Sequence, residues 1–345
     1  MITEAAIQPG TVIHSRHIDE AFTETLKSVL EYGYHVETYP YSQPDKARGS
    51  TEILNFQVSI DNPRDRLLTN PARPFNCVEA IARLVWMLGA NNRLEDIAFY
   101  QPKARLYSDN QITIPGSSYG MRIFDARPGL NQVEGVIKTL RNEAGSRRGA
   151  IVIWLPEDAV RESHDIPCAF GMFFHLRQGR LICTTLMRSN NAFLLLPYNV
   201  FEFSLLAEMI ATTIGVELGS YVHCAVSMHV YDDQRVRAEE AIALHKIVVE
   251  NQPRQAMPRM PGDPLPFEQA NELVRLEAQL HHEFTLKTPE ELFTRGEKLH
   301  EYWRAFYNVL LIQVLAHSGR LSEAKNTARH LPEYLQEPME RQLCR

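Results

Sequence analysis

The stretch Asp165–Tyr231 limits what this chain can fold into more than any other part of it. Two apolar, strand-like runs, Phe170–Leu176 and Leu181–Met187, are separated by Arg177-Gln178-Gly179-Arg180, whose Gly and polar residues are those of a tight turn. An Asn-rich loop then leads through Pro197 into a long apolar helix, and VHCAVSMHVYDD closes the window. The chemistry sits at the junctions. Cys168 lies on a Pro-Cys step entering the first run, Arg188-Ser189 follows the second, and Asn199 opens the helix. A thiol, a guanidinium beside a hydroxyl, and an amide suit a nucleophile, an anion clamp and a reader of a heteroaromatic ring. Taken alone, Cys168 reads as a buried core thiol, as most cysteines are. The order of the groups around it argues for the nucleophile.

Elsewhere helical and strand patterns alternate, which places the chain in the α/β or α+β class. Helical spacing of apolar residues predicts helices over His17–Tyr32, Cys77–Leu88 (ended by Gly89), Asn91–Tyr100 and Leu130–Asn142. Strands are expected over Ile53–Ile60 and Gly149–Leu155, and Tyr39–Ser50 reads as a Pro-containing loop. The Gly-flanked Tyr119 precedes MRIF, which fits strand or helix. With 345 residues the chain has room for one large domain or a domain with an appendage. The prolines of Gln252–Pro266 mark the boundary, giving an extended arm at 1–15, a main unit at 16–262 and a helical extension at 263–345. In that extension Phe267–His282, Pro289–His317 and Leu321–His330 read as helices, punctuated by Gly319, Pro332 and Pro338. Trp303, Phe306, Leu310, Leu311 and Val314 form an apolar stripe suited to packing on the chain itself or on a partner subunit.

A net charge of −6 argues against a surface that coats nucleic acid, and the apolar runs are too short to cross a bilayer. The N-terminus has no basic segment followed by an apolar core. Five cysteines without CxxC or Cys/His ligand spacing point to reduced thiols in a cytoplasm and to no metal site.

The ordered motifs resemble thymidylate synthase. Pro167-Cys168, Arg188-Ser189, Phe193, Leu196-Pro197-Tyr198-Asn199 and His229-Val230-Tyr231 follow one another as that family's motifs do. Upstream, Trp86, Tyr119-Gly120 and Ser146-Arg147-Arg148 also match, and Arg48 matches the family's phosphate-loop arginine more weakly. The resemblance covers residues 15–260. It implies a three-layer fold with a mixed sheet, paired back to back with a second copy in a homodimer. It further implies that Cys168 attacks C6 of a pyrimidine nucleotide monophosphate, making C5 a nucleophile. Arg188 and Ser189 would bind the 5′-phosphate, Arg147 and Arg148 would reach the other subunit's phosphate, and His229 and Tyr231 would contact the sugar. Tyr119 would relay protons, and guanidiniums near the thiol would lower its pKa. Asn199 would read the base, accepting from N3–H and donating to O4, which favours a uridylate.

The departures bear on the second substrate, which the resemblance implies is methylenetetrahydrofolate. The family's glutamate three residues before the Trp is Arg83 here, and arginine cannot act as acid or base. Glu79 lies one turn earlier on the same face, where it would reach the site only in a shifted geometry. Asn191 stands where an Asp binds the pterin, and Leu195 where a Gly lets the folate stack. Trp86, Asn191 and Leu195 are thus the residues of the folate side. Methylation or hydroxymethylation at C5, of use in nucleoside-antibiotic or modified-base pathways, is the first expectation. Folate-independent C5 chemistry (exchange, dehalogenation, decarboxylation) and a non-catalytic nucleotide-binding homologue are the alternatives.

Overall fold

The computed structural model describes residues 10–39, 47–251, 256–283 and 287–343. Its centre is an eight-stranded mixed sheet in which β1 (Thr11–Ser15), β2 (Tyr34–Thr38) and β3 (Arg48–Ile60) precede the helical region. β4 (Ala150–Val152), β5 (Ala169–Arg177), β6 (Arg180–Met187), β7 (Asn190–Asn191) and β8 (Glu217–Tyr231) complete it. The strand order is β1-β3-β8-β6-β5-β4, with β2 sharing one edge of β3 and β7 one edge of β8. β1 and β3 are parallel, as are β6 and β8, while β3 runs antiparallel to β8 and β5 to β6. The β5–β6 hairpin turns on Gln178 (φ 50) and Gly179 (φ 71), the pair of positive angles that a two-residue turn needs to match strand twist.

α1 (Ile18–Tyr32) joins β1 to β2, and α2 (Cys77–Leu88), α3 (Leu94–Ala98), α4 (Tyr119–Phe124) and α5 (Gln132–Asn142) lie between β3 and β4. α6 (Leu196–Ile214) is buried along nearly all of its length, and α7 (Arg235–Asn251) follows β8. After α7 come α8 (Pro266–Glu283), α9 (Pro289–Gly296), α10 (Glu301–His317), α11 (Leu321–Ala328) and α12 (Glu333–Leu343).

Several local expectations change. Thr11–Ser15 is the sheet's edge strand, paired with Phe56–Ile60, so that part of the expected arm belongs to the core. The strand expected from Ile53 begins at Arg48, because Arg48–Glu52 pairs with β2 and Ser50–Glu52 also with β8; residues 40–46 of the expected loop lie outside the described residues. MRIF is helical. Pro289–His317 is two helices, α9 and α10, and Pro338 lies inside α12 instead of ending a helix. β2, α7 and α12 had no counterpart in the sequence reading.

The apolar stripe of α10 is fully buried, and Phe306 meets Phe201 of α6 with ring centroids 6.4 Å apart. α10 and α8 both pack on α2, the helix that bears Arg83 and Trp86. Among the described residues no helix is long and apolar enough to cross a membrane.

Candidate active site

Cys168 stands half-buried at the entry to β5, on a loop pinned from two sides. Buried Asp165 accepts hydrogen bonds from the Gly116 N–H and the Ser117 hydroxyl, both at 2.5 Å. On the other side Arg188 donates from Nε to the Pro167 carbonyl (2.8 Å) and from Nη2 to the Ile166 carbonyl (3.1 Å). The Arg188 N–H also bonds the Cys168 carbonyl at 2.8 Å. The guanidinium beside the thiol is therefore an anchor of the thiol's loop as well as a cation.

The expected activation of the thiol is not present in the free protein. Burial pushes the Cys168 pKa up; Arg188 opposes this, Asp165 adds to it, and Arg83 opposes it from α2. Two guanidiniums at this depth do not overcome desolvation. Alkylation of Cys168 by iodoacetamide, followed by peptide mass spectrometry, should accelerate only above the ordinary cysteine range, and Arg188→Ala should move that rise to still higher pH.

Tyr119 opens α4 between two close backbone approaches. A Cβ on Gly116 would lie 1.9 Å from the Asp165 carbonyl oxygen, and one on Gly120 would lie 1.9 Å from that of Met87, so neither position admits a side chain. The Tyr119 ring stacks on Phe203 at 5.8 Å. Burial pushes its phenol above the usual range, and charge on Cys168 adds to the shift, so it remains a donor at neutral pH.

Asn199 is buried in the first turn of α6, and its Oδ1 accepts from Asn190 Nδ2 at 2.7 Å. A carbonyl oxygen has two lone pairs, so this bond fixes the amide's orientation and leaves acceptor capacity. His229 and Tyr231 point the same way from alternate positions of β8, their rings in edge contact at 4.8 Å. The Ser189 hydroxyl lies 3.4 Å from His229 Nδ1, while the buried His229 Nε2 has no partner. Burial pushes His229 down to about 4, so the ring is neutral at physiological pH. Arg48 comes to the same corner, 3.5 Å over the Tyr231 ring, because Ser50 pairs with Tyr231 in the sheet. Arg147 and Arg148 stay exposed in the turn between α5 and β4, where Arg148 pairs with Glu143 at 3.1 Å.

On α2, Arg83 is not free to meet a ligand carboxylate: its Nε is bound to the carboxylate of Glu202, which is buried on α6. Burial works against the charge of Arg83, but Glu202 more than offsets it. Glu79 is half-buried, accepts weakly from the Tyr198 hydroxyl at 3.4 Å, and acts electrostatically on both members of the pair. Trp86 Nε1 is buried without a partner. Arg83, Trp86, Ser117, Tyr119 and Glu202 line a cavity of about 50 Å³. Sequence reasoning missed Glu202. The signal was there, a single carboxylate three residues after Asn199 in an otherwise apolar turn, which puts both on one face.

Both ends of the Asn191 side chain are engaged. Nδ2 donates to Gln234 at 2.9 Å, and Oδ1 accepts from the Leu194 N–H at 2.6 Å. Leu195 is half-buried against the core. Among the described residues no group of three or more His, Cys, Asp or Glu side chains is placed to hold a metal ion.

The mixed sheet thus carries a pinned, half-buried thiol at a strand entry, with guanidiniums, a phenol and an amide on the flanking elements. The chain belongs to the thymidylate synthase family, whose model matches residues 20–260. It is 30% identical over 231 residues to a deoxyuridylate hydroxymethyltransferase of Pseudomonas phage M6, covering 64% of this chain and 62% of that protein. It is 24% identical over 226 residues to the thymidylate synthase of Bacillus licheniformis, covering 62% of this chain and 80% of the relative. In fold it matches thermostable thymidylate synthase A from Bacillus subtilis with a TM-score of 0.54 at 23% identity, over 65% of this chain and 83% of that one.

Proposed function

We propose that this protein modifies C5 of a pyrimidine nucleotide monophosphate, a uridylate in preference to a cytidylate, through a covalent Cys168–C6 adduct. The observation that carries the reading is the half-buried Cys168 held by Arg188 within electrostatic reach of Arg83 and Tyr119. Removal of the thiol proton lets Sγ add to C6, and the C5=C6 electron pair moves toward C5 and O4. Asn199 meets O4 and N3–H, so the charge that develops at O4 faces an amide already oriented by Asn190. Arg188 and Ser189 hold the 5′-phosphate, with Arg48 near the same corner, and neutral His229 and Tyr231 face the sugar.

The one-carbon donor in this reading is methylenetetrahydrofolate, which supplies a C1 unit to C5 as methyl or hydroxymethyl. Trp86, with its unpartnered N–H, and half-buried Leu195 are the residues that would hold it. Asn191 would not, since both ends of its amide are engaged. That last observation favours, as a second reading, C5 chemistry that keeps the adduct and uses no folate. We further read the protein as a homodimer, supported by the apolar side chains exposed on the sheet at Val152, Phe170, Phe173 and Val226. In that dimer Arg147 and Arg148 would reach the phosphate bound by the second copy. Residues 263–345 would be an elaboration that buttresses α2 and α6.

Incubation with dUMP, UMP, dCMP and CMP, with and without methylenetetrahydrofolate, followed by mass spectrometry tests the reading. A folate-dependent 5-methyl or 5-hydroxymethyl uridylate is expected. Absence of product together with absence of nucleotide binding in calorimetry would contradict it. In the same calorimetry Arg188→Ala should weaken nucleotide binding roughly 10- to 150-fold, the value of one charge-assisted hydrogen bond.

A further inference from the structure

We propose that Glu202 is the proton-relay carboxylate of this site, supplied by α6 in exchange for the one that Arg83 displaces from α2, with Arg83 as its positioning residue. The inference rests on the proposed C5 chemistry and adds a residue that the family pattern does not assign. Arg83 removes a carboxylate from α2, yet the space it borders does not lack one. Glu202 is 2% exposed, and its carboxylate is bound to Arg83 Nε on one side. It lines the same cavity as Tyr119 and Trp86. An isolated carboxylate at this depth is costly, and pairing with an arginine is what makes it tenable.

A volume of about 50 Å³ holds one or two waters, each taking about 30 Å³ in the liquid. The walls supply partners, since the Trp86 N–H is buried with none, and Tyr119 and Glu202 are polar. Tyr119 also links the cavity to the nucleophile, for its phenol feels the charges of Cys168, Arg83 and Glu202 together. The groups facing Glu202 are Arg83 and Glu79 from α2, Tyr119 from α4 and Tyr221 from β8. Burial pushes the Glu202 carboxyl up, Arg83 opposes the shift and Glu79 adds to it, the direction that suits a group exchanging protons near neutrality.

The step balances without a further reactant. The Cys168 thiol gives its proton to the relay as Sγ bonds to C6 and the C5=C6 π pair moves to C5, and C5 then takes that proton back from the relay. The C5–H bond originally present then breaks, its proton passing through cavity water to Glu202 and its electron pair returning to C5. The C6–Sγ bond breaks last and restores C5=C6.

Release of tritium from 5-tritiated dUMP tests this, measured with Glu202→Gln, Glu202→Asp and the double variant Arg83→Gln/Glu202→Gln. The double variant removes both charges together, so no buried guanidinium is left unpaired should Glu202→Gln alone fail to fold. Expected are a roughly 100- to 10,000-fold loss of release in Glu202→Gln and in the double variant, with nucleotide affinity retained. Partial recovery is expected in Glu202→Asp, together with a displaced pH–rate limb. Release at the wild-type rate in the folded double variant would overturn the inference and leave the proposed function standing. So would a parallel loss of binding and release, which makes the pair a structural one. If the wild-type protein releases tritium from no nucleotide, the proposed function falls and this inference with it.

Discussion

Replacing Cys168 with alanine will remove turnover, by on the order of 10⁴- to 10⁶-fold, the scale seen when a covalent nucleophile is lost, while leaving the fold and nucleotide binding in place. The separation follows from the geometry. The loop that carries Cys168 is held through backbone carbonyls and Asp165, not through Sγ: Arg188 bonds the carbonyls of Ile166 and Pro167, and its N–H bonds that of Cys168. Alanine keeps every one of those bonds. The proposed phosphate and base contacts come from other elements, Arg188-Ser189 after β6 and Asn199 on α6. Calorimetry with dUMP should therefore give similar affinity for the variant, and the turnover assay a blank. Loss of binding in parallel with turnover would mean that the sulfur is a packing group.

The largest stability effect should come from a different carboxylate on the same helix. Glu208 is wholly buried and accepts from Arg64 Nε at 2.7 Å, Arg66 Nη2 at 2.5 Å and the Met260 N–H at 3.2 Å. Burial works against its charge, but Arg66 and then Arg64 outweigh burial and hold the carboxyl below its usual range. A lowered folded-state pKa contributes stability at pH values above the ordinary glutamate range, and that contribution is lost as pH falls through the folded value. Glu208→Ala strands the Arg66 guanidinium, itself 0% exposed with Nε and Nη1 already unpartnered. Removing one partner of a buried pair costs about 3–5 kcal/mol, to be read as a drop in the urea midpoint at pH 7. Replacing Glu337, whose pair with Arg341 is exposed, should barely move that midpoint. The Met260 contact ties α6 to the segment leading into the extension, so the Glu208 variant should also loosen residues 256–265 to proteolysis.

What the sequence revealed, and what it hid, divides along physical lines. Cys77–Leu88 was legible to the residue, because the apolar spacing ends on Gly89 and Asn76 caps its start. The β5–β6 hairpin was legible because a Gly sits where the turn needs a positive φ. β2 was not, for its five residues lie on the edge of β3 and only alternate half-buried with exposed. The Pro-rich look of Tyr39–Ser50 hid the start of β3, where pairing with β8 overrides local composition. In the site, residues carried by contiguous motifs could be named in advance. Glu202 showed in the sequence only as a lone carboxylate on the Asn199 face; its pairing depends on Arg83 lying opposite it across two helices, a contact 119 positions apart in the chain. The engagement of Asn191 was hidden for the same reason, since Gln234 follows 43 positions later. The activation of Cys168 was expected from nearby guanidiniums alone; the depth of the thiol, which reverses the sign of the shift, is a property of the packed core.

The most direct measurement of the central claim is release of tritium from 5-tritiated dUMP by the wild-type protein and by Cys168→Ser. The adduct makes the C5 hydrogen labile, so the wild-type protein should release tritium in the presence of methylenetetrahydrofolate, or without it if the folate-free reading holds. Cys168→Ser should release none above buffer. Equal release by both proteins, or none by the wild-type protein from any of the four nucleotides, would contradict the account.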